Sequence, residues 1–91
     1  MRFMLKITWN QPPTEEIMAL MPVEQQRGVE LFEQGIAEAA YQAADQSVDG
    51  WAAWAVWNCD SQDALDDVIK TLPMHQFFNY DVTVLAEPYA S

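Results

Sequence analysis

Residues Arg2 to Trp9 (RFMLKITW) alternate: Phe3, Leu5, Ile7 and Trp9 fall on one side, with Met4, Lys6 and Thr8 on the other. Period two marks a half-buried β-strand, because successive side chains of an extended backbone point to opposite faces. The strand is compatible with a sheet edge. Tyr80 to Glu87 (YDVTVLAE) alternates the same way and Pro88 closes it. Just before it lies the clearest helical stripe in the chain, Leu65, Val68, Ile69 and Leu72, with Asp66, Asp67 and Lys70 opposite. Asp60 or Ser61 caps this helix, Asp63 sits in its first turn and Pro73 ends it. Residues 74–79 (MHQFFN) form a loop. A chain that opens and closes in strand, with a helix leading into the last one, mixes helices and strands within one domain.

The middle is less regular. Asn10 to Pro13 (NQPP) is a breaker, and Thr14 caps a helix whose first turn carries Glu15 and Glu16. Pro22 lacks a backbone N–H, so the helix breaks there and restarts with Pro22 at its first position. This second segment runs to about Gln34 with Leu31 and Phe32 inward, and Gly35 is its C-cap. Residues 36–49 are Ala-rich, and local propensity leaves helix and strand open there. Residues 50–59 (GWAAWAVWNC) space three tryptophans by three, which suits a helix face. Gly50 before them, Asn58-Cys59-Asp60 after them and the short length favour a strand. That strand would carry Trp51 and Trp57 on one face and Trp54 on the other.

At 91 residues the chain is one domain, 1–91. A chain this short buries only about 60–65% of its unfolded surface, yet 51% of its residues are hydrophobic. That surplus needs a partner subunit or a pocket, and sheet-to-sheet pairing into a homodimer is the simplest remedy for apolar residues on both sheet faces. Four basic residues against fourteen acidic ones, a net charge of −10, exclude a phosphate-tracking surface and disfavour an anionic membrane. One cysteine, Cys59, excludes an internal disulfide framework and a four-cysteine zinc site. No apolar run approaches the roughly 20 residues of a membrane span, and the opening residues lack a signal-peptide layout. The expectation is a cytoplasmic globular protein.

The run Ser61 to Pro73 (SQDALDDVIKTLP), its short aromatic loop and Tyr80 to Ala86 (YDVTVLA) resemble muconolactone Δ-isomerase and its relatives. Leu20 to Glu24 (LMPVE) and Glu30 to Gly35 (ELFEQG) are similar to that family's first helix, while residues 42–58 match worst. The resemblance implies a ferredoxin-like βαββαβ subunit, a four-stranded antiparallel sheet with two helices on one face, pairing as a dimeric α+β barrel. It also implies a strand after Gly35. The superfamily hosts cyclases, cofactor-free monooxygenases and haem-degrading enzymes, so the fold alone does not name the chemistry.

Isomerisation of the family's kind shifts a proton beside a lactone carbonyl, which needs a base, donors for the enolate and a dry pocket, but no metal or cofactor. The resemblance places the family's base at Glu24; the plain alternative is a glutamate decorating a helix N-terminus. His75, the lone histidine, could move a proton at the pocket mouth or be a solvated loop residue. Tyr41 matches a second-strand aromatic whose phenol could reach a substrate oxygen, or pack in the core. Trp51, Trp54, Trp57 and Phe77 could wall a pocket for a flat ring, or serve core and interface. Arg27 could bind a substrate carboxylate or form an i,i+3 pair with Glu24.

Two departures bear on the substrate. Glu38 and Ala39 stand where the isomerase's second strand has a basic pair, which works against a carboxylate-bearing ligand. The hairpin between Tyr41 and Trp51 is also several residues longer. The expected function is a small cofactor-independent enzyme for proton transfer, isomerisation or cyclisation of a neutral, hydrophobic, ring-containing metabolite. The alternatives are a non-catalytic dimeric module that binds a hydrophobic molecule or protein partner and, with less support, a haem-handling or oxygen-using relative.

Overall fold

The computed structural model describes residues 1–86. Glu87 and Pro88, assigned above to the end of the last strand, lie outside them. Strand β1 (Arg2–Trp9) is followed by a single-turn helix α1 (Glu15–Met18) and helix α2 (Met21–Glu33), then β2 (Ala37–Gln42) and β3 (Ala53–Asn58). Helix α3 (Gln62–Lys70), a 3₁₀ turn (His75–Phe77) and β4 (Phe78–Leu85) complete the order. The antiparallel sheet runs β2-β3-β1-β4, so the topology is ferredoxin-like βαββαβ. The first strand is therefore interior, not an edge. Its alternation reports only that one face is polar; backbone groups on both sides are free to pair.

Phe3 and Leu5 face the helices and are wholly buried, packed with Trp57 of β3, Leu31 of α2, and Leu65 and Leu72 from α3 and its exit. The opposite face, carrying Met4, Lys6 and Thr8, has no covering element among the described residues. Pro22 is the second residue of α2 rather than its first. Phe32, expected inward beside Leu31, is 47% exposed: one step along a helix turns about 100°, so only one of the pair fits the stripe.

Gly35 ends α2 with φ +76°. Its N–H donates to the Phe32 carbonyl at 3.1 Å, and the Ile36 N–H donates to Leu31 at 3.0 Å, the paired bonds of a Schellman cap. The left-handed residue turns the chain from helix into β2 and overrides the helical propensity of the Ala-rich run. Gly35→Ala is expected to cost about 1 kcal/mol or more, since alanine is strained there, measurable as a lower urea midpoint at unchanged slope. At the other end of the connection, Ser61 caps α3, its Oγ accepting from Ala64 N–H at 3.1 Å.

Candidate functional site

The exit from α3 is held against α2 by two polar contacts one helical turn apart. Arg27 Nε donates to Thr71 Oγ1 at 2.9 Å, while the Thr71 hydroxyl donates to the Val68 carbonyl at 2.6 Å. Glu24 Oε1 accepts from the Met74 N–H at 2.8 Å. The Glu24–Arg27 ion pair that the spacing allows is not formed. Arg27 turns to Glu30, at 3.4 Å, because Glu24 is drawn under the loop by the backbone donor.

Glu24 is half-buried, and loss of water pushes its pKa above the usual carboxylate value. The Met74 N–H and the nearby His75 oppose that rise without cancelling it. His75 Nδ1 lies 2.8 Å from the Leu72 carbonyl, an acceptor, so Nδ1 carries the proton and Nε2 is left for other partners. Tyr80 of β4 completes the cluster: burial and the Glu24 charge both hold its phenol firmly in the protonated form. A carboxylate whose pKa burial raises, a histidine of fixed tautomer and a phenol that keeps its proton can together take up, hold and donate hydrogen bonds around a moving proton.

His75, Phe78, Asn79 and Tyr80 line an open groove of about 560 Å³ with Asp66, Ile69 and Lys70 of α3. Its aromatic wall continues into a ring cluster. Phe78 lies 4.6 Å from Trp9 and 5.7 Å from Trp51 between centroids, and Trp9 and Trp51 are 5.5 Å apart. The loop after β2 delivers Trp51 to this cluster. Its Nε1 donates to Gln42 Oε1 at 3.3 Å and its backbone N–H to Ser47 at 2.9 Å.

Of the residues singled out in the sequence, Glu24 and His75 are brought together and Trp51 joins the rings beside the groove. Trp57 is a core residue, 5% exposed. Trp54 and Tyr41 pair across β3 and β2 on the uncovered sheet face, away from Glu24, so the phenol beside the carboxylate is Tyr80 and not Tyr41. Phe77 lines a separate hollow with Gln11, Thr14, Ile17 and Leu20; its neighbour Phe78 takes the groove position. Glu38, at a bulge in β2, is held by Arg2 at 2.9 Å. Trp9, Phe78 and Tyr80 were not singled out. Their signal was parity, since Trp9 shares the face of Phe3, and Tyr80 that of Val82.

Among the described residues no helix is long and apolar enough to cross a membrane. No curated protein sequence matches the chain. Among solved structures, a muconolactone isomerase superposes with TM-score 0.79 at 21% identity, covering 100% of this chain and 94% of that one. A 5-chloro-2-hydroxyhydroquinone dehydrochlorinase from Burkholderia phenoliruptrix, in complex with 2,5-dihydroxybenzoquinone, matches with TM-score 0.66 at 8% identity, over 99% and 98% of the two chains. An antibiotic biosynthesis monooxygenase matches with TM-score 0.53 at 15% identity, over 97% and 100%. These likenesses bear out the ferredoxin-like fold. The family model described as muconolactone delta-isomerase matches residues 1–90, and the chain belongs to that family.

Proposed function

We propose that the chain is a small isomerase- or lyase-type enzyme that moves a proton on a hydrophobic, ring-containing metabolite without a resident cofactor. The observation that carries this reading is Glu24: a half-buried carboxylate of raised pKa, oriented by the Met74 N–H, with His75 and Tyr80 beside it. Glu24 is the base, and His75 Nε2 is a second proton carrier. Trp9, Trp51 and Phe78 supply a flat apolar wall for the ring.

A neutral ligand fits better than a carboxylate-bearing one. Arg27 is committed to Thr71 and Glu30, and Arg2 to Glu38, while Lys70 shares the groove's lining with the opposite charge of Asp66. The solved relatives support a ring substrate, one being a muconolactone isomerase and another holding a dihydroxybenzoquinone. The chain acts as one domain and pairs with a second copy through the uncovered sheet face, where Met4, Tyr41, Trp54 and Val56 form an apolar depression.

Incubation with unsaturated ring lactones and hydroxylated quinones in D₂O, followed by NMR, tests the reading. The expected result is deuterium gain or double-bond migration in at least one ring compound. Ligand-induced tryptophan quenching with no exchange into any of them would instead mark a binding module.

A further inference from the structure

The three rings beside the groove do not stand in a row. Their centroids form a compact triangle: Phe78 lies 4.6 Å from Trp9, Trp9 5.5 Å from Trp51, and Trp51 5.7 Å from Phe78. Of the three, Phe78 lines the groove, and the two indoles back it. Its backbone is held opposite Trp9 in the β1–β4 register, so the ring's own torsions are what the indoles restrain. Helix α3 gives Ile69 to the same lining, and the gap between helix and sheet therefore depends on where the Phe78 ring stands.

Trp51 comes from a loop tied chiefly to itself. The Ala43 N–H donates to the Ala52 carbonyl at 2.8 Å and closes the loop's neck. Inside it the Ser47 N–H donates to Asp45 Oδ1 at 2.8 Å, and the Gly50 N–H to Ser47 Oγ at 3.1 Å. A loop packed on itself in this way presents its side chains as a unit. The Trp51 indole reaches out of it to Gln42 Oε1 at 3.3 Å. Gln42 pairs with Ala53, which pairs with Ile7, so it stands on the helix side of the sheet. These residues fall in the stretch least like the isomerase, which makes the device a property of this chain.

We propose that Trp51, anchored by Gln42, sets the thickness of ring that the groove accepts. It fixes Phe78 toward α3, so a flat unsaturated ring enters and one with substituents above and below its plane is turned away. The inference rests on this groove being the ring site of the proposed function. Trp51 and Gln42 act through Phe78 and are positioning residues.

The test compares coumarin, a flat neutral lactone, with 4,4-dimethyl-3,4-dihydrocoumarin, whose methyl groups stand out of the ring plane. Kd is read by equilibrium dialysis from the absorbance of each compound. The parent should favour coumarin roughly 10-fold or more, the scale on which a pocket wall rejects an extra methyl group. Trp51→Ala should abolish most of that preference by binding the thicker ring more tightly, since Phe78 can swing into the vacated space. Gln42→Leu should erode the preference in the same direction, whereas Gln42→Glu keeps an acceptor for the indole and should restore it. The ratio of the two Kd values is not moved by a simple loss of stability. A parent that binds both compounds alike, or variants that change both Kd values by one factor, overturns the inference and leaves the ring site standing. No coumarin binding by the parent overturns the ring site itself and the inference with it.

Discussion

Glu24→Gln will lower solvent-hydrogen exchange into a responsive ring substrate by roughly 10²–10⁴-fold, the range for removing a positioned general base. The same change will make the folded protein more stable at neutral pH. Because folding raises the pKa of Glu24, the folded state favours the neutral carboxyl. That preference is fully present below the unfolded value of 4.5 and is lost as pH rises through the higher folded value. Above this window the parent holds an ionised carboxylate in a half-dry site, whereas glutamine is neutral throughout and keeps an oxygen for the Met74 N–H. Thermal melts should show a higher Tm for the variant near neutral pH and none of that gain at acid pH. The exchange rate of the parent should fall with acidity through a pKa above 4.5, since only ionised Glu24 accepts the proton. Lost exchange together with lost stability would mean that Glu24 chiefly anchors the loop.

The elements of this fold were legible to different depths for physical reasons. β1, β4 and α3 bury one face each, so their periods survive in the residues. The strand after Gly35 was not decided by propensity. Its alanines carry no period, and what settles it is a left-handed glycine that reverses the chain and a sheet edge waiting to be paired. Phe32 beside Leu31 shows the reverse limit: the buried stripe of α2 is narrow enough that Leu31 takes it and the adjacent Phe32, about 100° round the helix, stays exposed. In the site, Glu24 and His75 lie on segments whose proximity depends on the α3 exit docking beneath α2. That docking is made by one backbone donor, the Met74 N–H, and one long-range side-chain pair, Arg27 with Thr71, neither of which shows in local periodicity, so the resemblance located Glu24 where spacing alone did not. The substitution of Tyr80 for Tyr41 follows from parity in the sheet. Tyr41 pairs with Trp54, which pairs with Lys6 on the polar side of β1, while Tyr80 pairs with Ile7 on the helix side.

With two copies pairing through the sheet face as proposed, Trp54→Glu is expected to separate them, seen as a halved mass in light scattering behind size exclusion. Trp54 is 37% and Tyr41 71% exposed in the isolated chain, and with Met4 and Val56 they lie on the sheet face that no helix covers. Aromatic side chains bury about 150–250 Å² each when fully covered, at roughly 25 cal/mol per Å². In a two-fold pair each copy presents the same patch, so every buried group counts twice. The chain carries −10, which would keep two copies apart, but this face is balanced locally. Arg2 is paired with Glu38, and Lys6 stands beside Asp81 in the β1–β4 register. Two such faces can approach without the repulsion that the rest of the surface would exert. A glutamate at position 54 buries a charge in each copy at the centre of the contact and faces its symmetry mate, a change expected to cost upwards of 2 kcal/mol, or about 30-fold in Kd. Trp54→Phe keeps the apolar ring and should remain dimeric. A parent that runs as a monomer at tens of micromolar, or a Trp54→Glu variant that stays paired, would show that the uncovered face is not where two copies meet.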